Sequence, residues 1–377
     1  MSDSTLLNHI ARILVTVAPN MPADAALRRY FYEHKYLAPQ LRRSISQGVF
    51  VYFRWKNWAD SKASRQKQAE HTLYLDQRFR SDPKSVKPEA LAALAVPDWL
   101  RSEMDVTLDF LRQIQREPVL WLRARPGKAR NLAKSLGNCV VTGHAPDAVS
   151  YVGAKDLFRT AQFHEGEFEI QDLASQLVGC AATPSAGQTW WDACAGNGGK
   201  TLHLADQMQN KGLIWATDRS ESRLQMFKRR STRAKLHNHR SALWDGSNHL
   251  PTKTKFDGIL VDAPCSGVGT WQRNPHARWT TTIDDVHELA AAQLSLLNRV
   301  AGSLKRGGRL IYAVCTLTRS ETSGVAAAFS AAHPELTPCP IPLAMAGPAV
   351  ESNPATLYLW PHSINANGMY MASWQKP

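Results

Sequence analysis

A sequence signature of a zinc site, of a disulfide framework or of a membrane span is not found in this chain of 377 residues. Its six cysteines, Cys139, Cys180, Cys194, Cys265, Cys315 and Cys339, form no CxxC pair and have no histidine at metal-ligand spacing. Reduced thiols, no metal and a cytoplasmic location are the expectation. The first residues, MSDSTLLNHIARILVTVAPN, have Asn8, His9 and Arg12 among their apolar positions, and no uninterrupted apolar stretch approaches ~18 residues, so neither a signal peptide nor a membrane segment is expected. No internal repeat is present. Acidic residues are outnumbered 32 to 45 by Lys and Arg, and the net charge of +13 points to a polyanionic partner, most often nucleic acid. An apolar content of 44% is ordinary for globular cores, and the length allows two or three domains.

Residues 1–112 read as a helical module. Ala23 to Tyr30 and Leu41 to Phe53 place apolar residues at helical spacing with arginines between them. From residue 113 to 165 the texture becomes α+β: Pro118 to Arg123 reads as a strand, Lys128 to Leu136 as a helix, Cys139 to Thr142 and Val149 to Val152 as strands. Arg123, Arg125, Lys128 and Arg130 suit phosphate tracking and a solvated face equally well. From residue 166 to 377 strands alternate with helices, which predicts an α/β, doubly wound parallel sheet. Leu357 to Trp360 and Met369 to Trp374, around Asn367-Gly368, read as antiparallel strands closing one edge.

The stretch that organises the rest is Phe256 to Thr270, FDGILVDAPCSGVGT. Ile259, Leu260 and Val261 show no polar alternation and suit a strand buried on both faces, ending at Asp262 in a turn that carries Cys265. Arg309 to Thr316 repeats that grammar, with Gly307-Gly308 read as a turn and Cys315 at the strand end. If the two strands are neighbours, about 4.8 Å apart, both thiols come within side-chain reach.

Asp192 to Thr201, DACAGNGGKT, follows a strand and opens a helix. It fails as a P-loop, because the required first glycine falls on Cys194, and as a dinucleotide fingerprint, because the third glycine falls on Thr201. That leaves a cofactor without pyrophosphate. Asp218, ending the next strand, suits ribose hydroxyls, or alternatively caps the following helix.

Read together, DACAGNGGKT, DAPCSGVGTWQRNP and YAVCTLTRSE resemble the RsmB/NOP2/NSUN family of RNA 5-methylcytosine methyltransferases. GEFEIQD, LKRGG and LWPHSINANGMYMASW extend the resemblance over about residues 115 to 377, and the helical N-terminus resembles a NusB-like domain only weakly. The resemblance implies a Rossmann-like methyltransferase fold behind a small, RRM-like α+β domain, S-adenosylmethionine as cofactor, and RNA, ribosomal rather than transfer, as partner of a monomer. By motif position it implies Cys194, Ala195, Gly196, Gly198, Gly199 and Lys200 at the methionine end, and Asp218 at the ribose. Asp245 falls at the adenine edge, with Arg223 also at the cofactor and Asp262 facing cofactor and base. Cys315 matches the nucleophile and Cys265 the cysteine that helps release product. Gly196-Asn197 departs from the family's Ala-Pro, which loosens the loop and bears on cofactor affinity.

That chemistry is physically coherent. Cytosine C5 is a poor nucleophile until a thiolate adds at C6, and Asp262 is the candidate for stabilising charge at N3. Trp271 and Trp279 are candidates for holding a base, or are core packing. The cations between Arg223 and Arg240 are an RNA-facing stripe or a solvated helix face. Two alternatives remain: an RNA-binding or ribosome-assembly factor with the same fold but little turnover, and a DNA cytosine methyltransferase whose nucleophile would be Cys265.

Overall fold

Apolar residues at helical spacing build the N-terminal part entirely from helices in the computed structural model, which describes residues 4–18, 20–342 and 355–377. The helices Ser4–Thr16, Ala23–Glu33, Pro39–Trp55 and Arg65–Ser81 bury Ile10, Ile13, Ala26, Ile45, Val49 and Ala69 in one core. Contacts divide the chain into two compact units, Met1–Pro118 with Thr270–Ile283, and Val119–Gly269 with Asp284–Pro377. The short segment returned to the helical unit is core. Trp271 and Arg278 are fully buried there, and Trp279 Nε1 donates to Phe53 O at 2.6 Å. Arg278 donates from Nη1 to Ala95 O and Gln115 Oε1 and from Nη2 to Ile114 O, at 2.9, 3.0 and 3.0 Å. Burial pushes its guanidinium down to about 9. Trp271 is therefore a packing residue, and the base-holding reading of it is set aside, whereas Trp279 packs against the helical core while remaining partly exposed.

In the second unit, β1 (Leu120–Ala124), β2 (Cys139–Val141), β3 (Ala148–Tyr151) and β4 (Phe168–Ile170) form an antiparallel sheet in the order β2-β3-β1-β4. Alternation sends Leu122 and Ala124 toward Leu132 and Leu136 of the helix Ala129–Leu136. Trp121 and Ala148 pack into the opposite cluster with Leu173 and Leu177. Arg123 is buried and paired with Asp206, which also takes Arg125 at 2.7 Å. Both arginines are structural, whereas Lys128 and Arg130 are exposed.

The large sheet contains β5 (Thr189–Asp192), β6 (Leu213–Asp218), β7 (His239–Leu243), β8 (Phe256–Asp262), β9 (Leu304–Val314), β10 (Thr337–Pro338), β11 (Thr356–Leu359) and β12 (Met369–Gln375). Its order among the described residues is β10-β12-β9-β8-β5-β6-β7, with β11 also on β12. The strands from β7 to β9 are parallel, and β12 runs antiparallel beside β9. The expected doubly wound sheet is present. Ile259 and Val261 enter one core cluster and Leu260 the other, so β8 is buried on both faces as its sequence required. Two local expectations differ. Gly307-Gly308 lies inside β9, where Gly307 N and Gly308 O bond the Lys376 backbone, so the glycines serve an irregular pairing rather than a turn before the strand. β11 and β12 do pair, but the short helix Pro361–Ile364 joins them in addition to Asn367-Gly368. Among the described residues no helix is long and apolar enough to cross a membrane.

Gly258 in β8 has no room for a side chain, since a Cβ there would run into the Trp190 ring of β5. Gly258→Ala should destabilise the sheet by about 1–3 kcal/mol through overpacking. Urea unfolding monitored by tryptophan fluorescence measures it, and a midpoint equal to the parent's would show that Trp190 can give way.

Candidate functional site

The chain fills β5, β6 and β7 to one side of the sheet, then crosses back to lay β8 on the other side of β5. That reversal opens a crevice beyond the strands' C-terminal ends. A cleft of about 600 Å³ occupies it, lined by Cys194, Ala195, Gly196, Gly199, Lys200, Asp218, Arg223, Asp245, Asp262, Cys265 and Cys315. These are all residues the sequence proposed, now brought together. Gly198 is the exception. It stands behind the wall at φ +80° as the N-cap of the helix Gly199–Gln207, and a Cβ on it would meet the Phe227 ring. Its requirement for glycine is one of backbone and packing.

The loop after β5 is tied to its neighbours. Ala193 N donates to Leu260 O and Ala195 N to Thr217 O, at 2.9 and 2.8 Å. Asp218 accepts from Gly196 N through one oxygen and from Ser220 N through the other, both at 2.9 Å. The helix Glu221–Arg233 is capped by Ser220, so the capping role considered for Asp218 belongs to its neighbour. A carboxylate has about four acceptor sites, and Asp218 keeps capacity for hydroxyls in the cleft. Asp245, exposed, accepts from Ser247 N at 2.9 Å, and the Ser247 bonds hold its carboxyl below the usual range.

Toward the other end, Lys200 Nζ reaches Asp262 Oδ2 at 2.6 Å. Burial pushes the ammonium down, but Asp262 outweighs it and Cys315 adds to the upward shift. Asp192, fully buried beneath them, accepts from Thr201 Oγ1 at 2.6 Å. Burial pushes its carboxyl up to about 7.

β8 and β9 pair in parallel, with Asp262 opposite Ala313, so the segments leaving both strands run side by side. The sulfurs of Cys265 and Cys315 stand 3.3 Å apart without a covalent bond. The hydrogen bond to Cys315, followed by burial, pushes the Cys265 thiol well above its ordinary range. Cys265 holds its proton while the two sulfurs face each other. Glu321, fully buried, accepts from Ser266 N, Gln293 Nε2 and Thr318 Oγ1 at 2.8, 3.0 and 2.8 Å, and from the Ser266 hydroxyl. Gln293 Nε2 also donates to Pro264 O at 2.9 Å. This network escaped the sequence reading, although an acidic residue six positions after Cys315 and a glutamine in an apolar helix were visible signals. Trp244, Leu296 and Arg299 also line the cleft and carried no such signal. The other thiols stand elsewhere: burial pushes Cys180 up to about 11 and Cys139 up, and Cys339 meets Ser373 Oγ at 3.1 Å. Among the described residues no group of three or more His, Cys, Asp or Glu is arranged to hold a metal ion.

Comparison with known proteins adds a family. The family described as 16S rRNA methyltransferase RsmB/F matches residues 180–375. A Bacillus subtilis protein named probable ribosomal RNA small subunit methyltransferase B is 35% identical over 221 residues, 57% of this chain and 49% of that protein. The chain spans 49% and 66% of the first two curated relatives it matches. Among solved structures, PH0851 is 22% identical with a TM-score of 0.79, covering 100% of this chain and 99% of that one. NSun6 from Pyrococcus horikoshii is 20% identical with a TM-score of 0.63, covering 71% of this chain and 93% of that one. At those identities the likeness is one of fold.

A carboxylic acid whose folded value lies above its unfolded one binds more protons when folded, so stability falls as pH rises between the two values. Asp192 should therefore make the protein less stable as pH rises from about 4 to about 7. Asp192→Asn should flatten that decline in thermal melting across this window, and an unchanged profile would assign the decline to other groups.

Proposed function

The chain belongs to the RsmB/F family of rRNA methyltransferases, and from that premise we propose that it methylates C5 of a cytosine in ribosomal RNA with S-adenosylmethionine as donor. The observation that carries the reading is the pair of sulfurs, 3.3 Å apart on the wall of a cleft that also presents Asp218, Asp245 and Asp262.

The cleft suits the donor. Its volume is in the range of small-molecule sites, and carboxylates stand where ribose hydroxyls and a cationic sulfonium would favour them. Asp192 Oδ1 is buried without a hydrogen-bond partner beneath the same wall. Gly196, Gly199 and Lys200 would hold the methionine end, Asp218 the ribose, and Asp245 with Arg223 the adenine end. When bound, S-adenosylmethionine supplies an electrophilic methyl group.

The protein's own part is the activation of cytosine. Cys315, close to the Lys200 ammonium, attacks C6 as a thiolate, forming the S–C6 bond while the C5–C6 π electrons move toward C5. Asp262, partly exposed and held by Lys200 at 2.6 Å, faces the ring. A proton of the Lys200 ammonium, passed through the Asp262 carboxyl to N3, neutralises the negative charge that develops there. C5 takes the methyl group. Loss of the C5 proton then restores the C5–C6 double bond and expels the Cys315 thiolate. Cys265 is suited to this second half: once Cys315 sulfur is bound to carbon, the hydrogen bond that first raised the Cys265 thiol is gone, and its proton becomes easier to lose. Cys265 then gives its own proton to solvent and, as the thiolate, takes the C5 proton. RNA is the partner that the positive charge of the chain favours.

Cys315→Ala should abolish both methylation and any covalent RNA complex, whereas Cys265→Ala should still permit attack but accumulate a protein–RNA adduct that survives denaturing gels. Adduct formation by Cys315→Ala and not by Cys265→Ala would reverse the roles and overturn the assignment. Asp218→Ala should weaken S-adenosylmethionine binding by about 1.5–3 kcal/mol in calorimetric titration, with the fold intact. Unchanged affinity would confine Asp218 to fixing Gly196 and Ser220.

A further inference from the structure

The loop between β5 and the helix Gly199–Gln207 is anchored through the backbone N–H groups of Ala193, Ala195 and Gly196, and its own residues lend it little stiffness. Gly196 and Gly198 both adopt left-handed backbone, at φ +54° and +80°, and the intervening residue is Asn197. Glycines lose the most conformational freedom on ordering, and a ligand that must order its own loop binds more weakly. Gly196 N is held by Asp218 at the end of β6, and Gly198 N by Ala195 O at 2.8 Å. The Asn197 carbonyl is held from outside. It accepts from Arg230 Nη1 at 2.9 Å.

Arg230 lies on the helix Glu221–Arg233 and is not among the residues that line the cleft. The remaining edge of its guanidinium rests on Glu169 of β4, with Nε and Nη2 at 3.1 and 2.8 Å from Oε2. Arg233 Nη2 takes Oε1 at 2.5 Å and stacks its guanidinium 3.8 Å from the Phe163 ring centre. Burial alone would push Glu169 up, but the two guanidiniums outweigh it and hold the carboxyl below its usual range. A planar fork can serve a carboxylate and a carbonyl at once, which a lysine ammonium cannot do in the same geometry.

We propose that Arg230, braced by Glu169, is a positioning residue that sets the Gly196–Gly198 loop before the cofactor arrives. The inference rests on the S-adenosylmethionine reading of the cleft. It also assigns a use to part of the basic stripe: Arg230 and Arg233 are committed to Glu169, while Lys228, Arg229 and Lys235 stay exposed. Arg233 supplies an internal control, because it shares the carboxylate but no hydrogen bond from it to the loop is present.

The test compares the full chain with Arg230→Ala, Arg230→Lys and Arg233→Ala by calorimetric titration with S-adenosylmethionine and by amide hydrogen exchange without ligand. Arg230→Ala should raise Kd about tenfold and speed exchange at Gly196 and Gly198, while Trp190 to Asp192 in β5 stays protected. Arg230→Lys should fall between, and Arg233→Ala should leave both readouts within about twofold of the parent. Unchanged loop exchange and affinity in Arg230→Ala would overturn the proposal, as would equal losses in Arg233→Ala, which would reduce the pair to a structural brace. A parent protein that does not bind S-adenosylmethionine would remove the proposed function, and the ligand-free exchange would still decide whether Arg230 orders the loop.

Discussion

The buried carboxylate of Glu321 is what the cysteine geometry depends on. Ser266 belongs to the turn leaving β8, Thr318 to the segment leaving β9, and Gln293 to the helix Ile283–Ala301 that connects those strands. One side chain therefore ties three successive pieces of chain at a point where the sheet itself has ended. Parallel pairing sets β8 beside β9, but it cannot fix residues beyond the last registered pair. The Glu321 network does that together with Gly269 N, which donates to Cys315 O at 3.1 Å. Gln293 extends the network to Pro264 O and to the Tyr312 hydroxyl, at 2.9 and 2.7 Å. Each donor left unpaired in such a buried place would cost about 1–3 kcal/mol, so the network favours a single arrangement of the two sulfurs.

Much of this was legible in the residues because the relevant signals are local. A strand does run into the loop that starts at Asp192, and the next strand ends at Asp218, as the sequence placed it. The double-sided burial of Ile259, Leu260 and Val261 was visible as the absence of alternation, and glycine chemistry marked the loop after Asp192. What stayed hidden was long-range. Gln293 and Glu321 look like an ordinary helix residue and an ordinary loop acid until folding brings them onto Ser266. The same holds for Trp271 and Trp279, whose place in the helical unit depends on partners such as Phe53 and Trp99. Gly307-Gly308 misled for the opposite reason, since a local turn signal was overridden by pairing with the Lys376 backbone.

On the proposed function, the small antiparallel sheet limits how RNA would be recognised. An RRM stacks bases on an open sheet face, but here one face of β1 is covered by the helix Ala129–Leu136 and the other packs with Trp121 into the core that contains Leu173 and Leu177. The faces of β1 are used for packing. Exposed cations such as Lys128, Arg130, Lys228 and Arg229 remain for phosphates.

The return of Thr270–Ile283 to the helical unit sets an order of events during synthesis. Arg278 supplies buried hydrogen bonds to Ala95, Ile114 and Gln115, partners 163 to 183 residues earlier in the chain. A ribosome making about 5–20 residues per second needs on the order of 10 s to travel from the end of the first helical segment to this late insert. Through that interval the nascent helices lack Trp271 and Arg278, and the carbonyls of Ala95 and Ile114 must be satisfied by water. The N-terminal unit can thus complete its core only after most of the large sheet has been synthesised, so a stalled or truncated chain would present an unfinished apolar surface to chaperones and proteases.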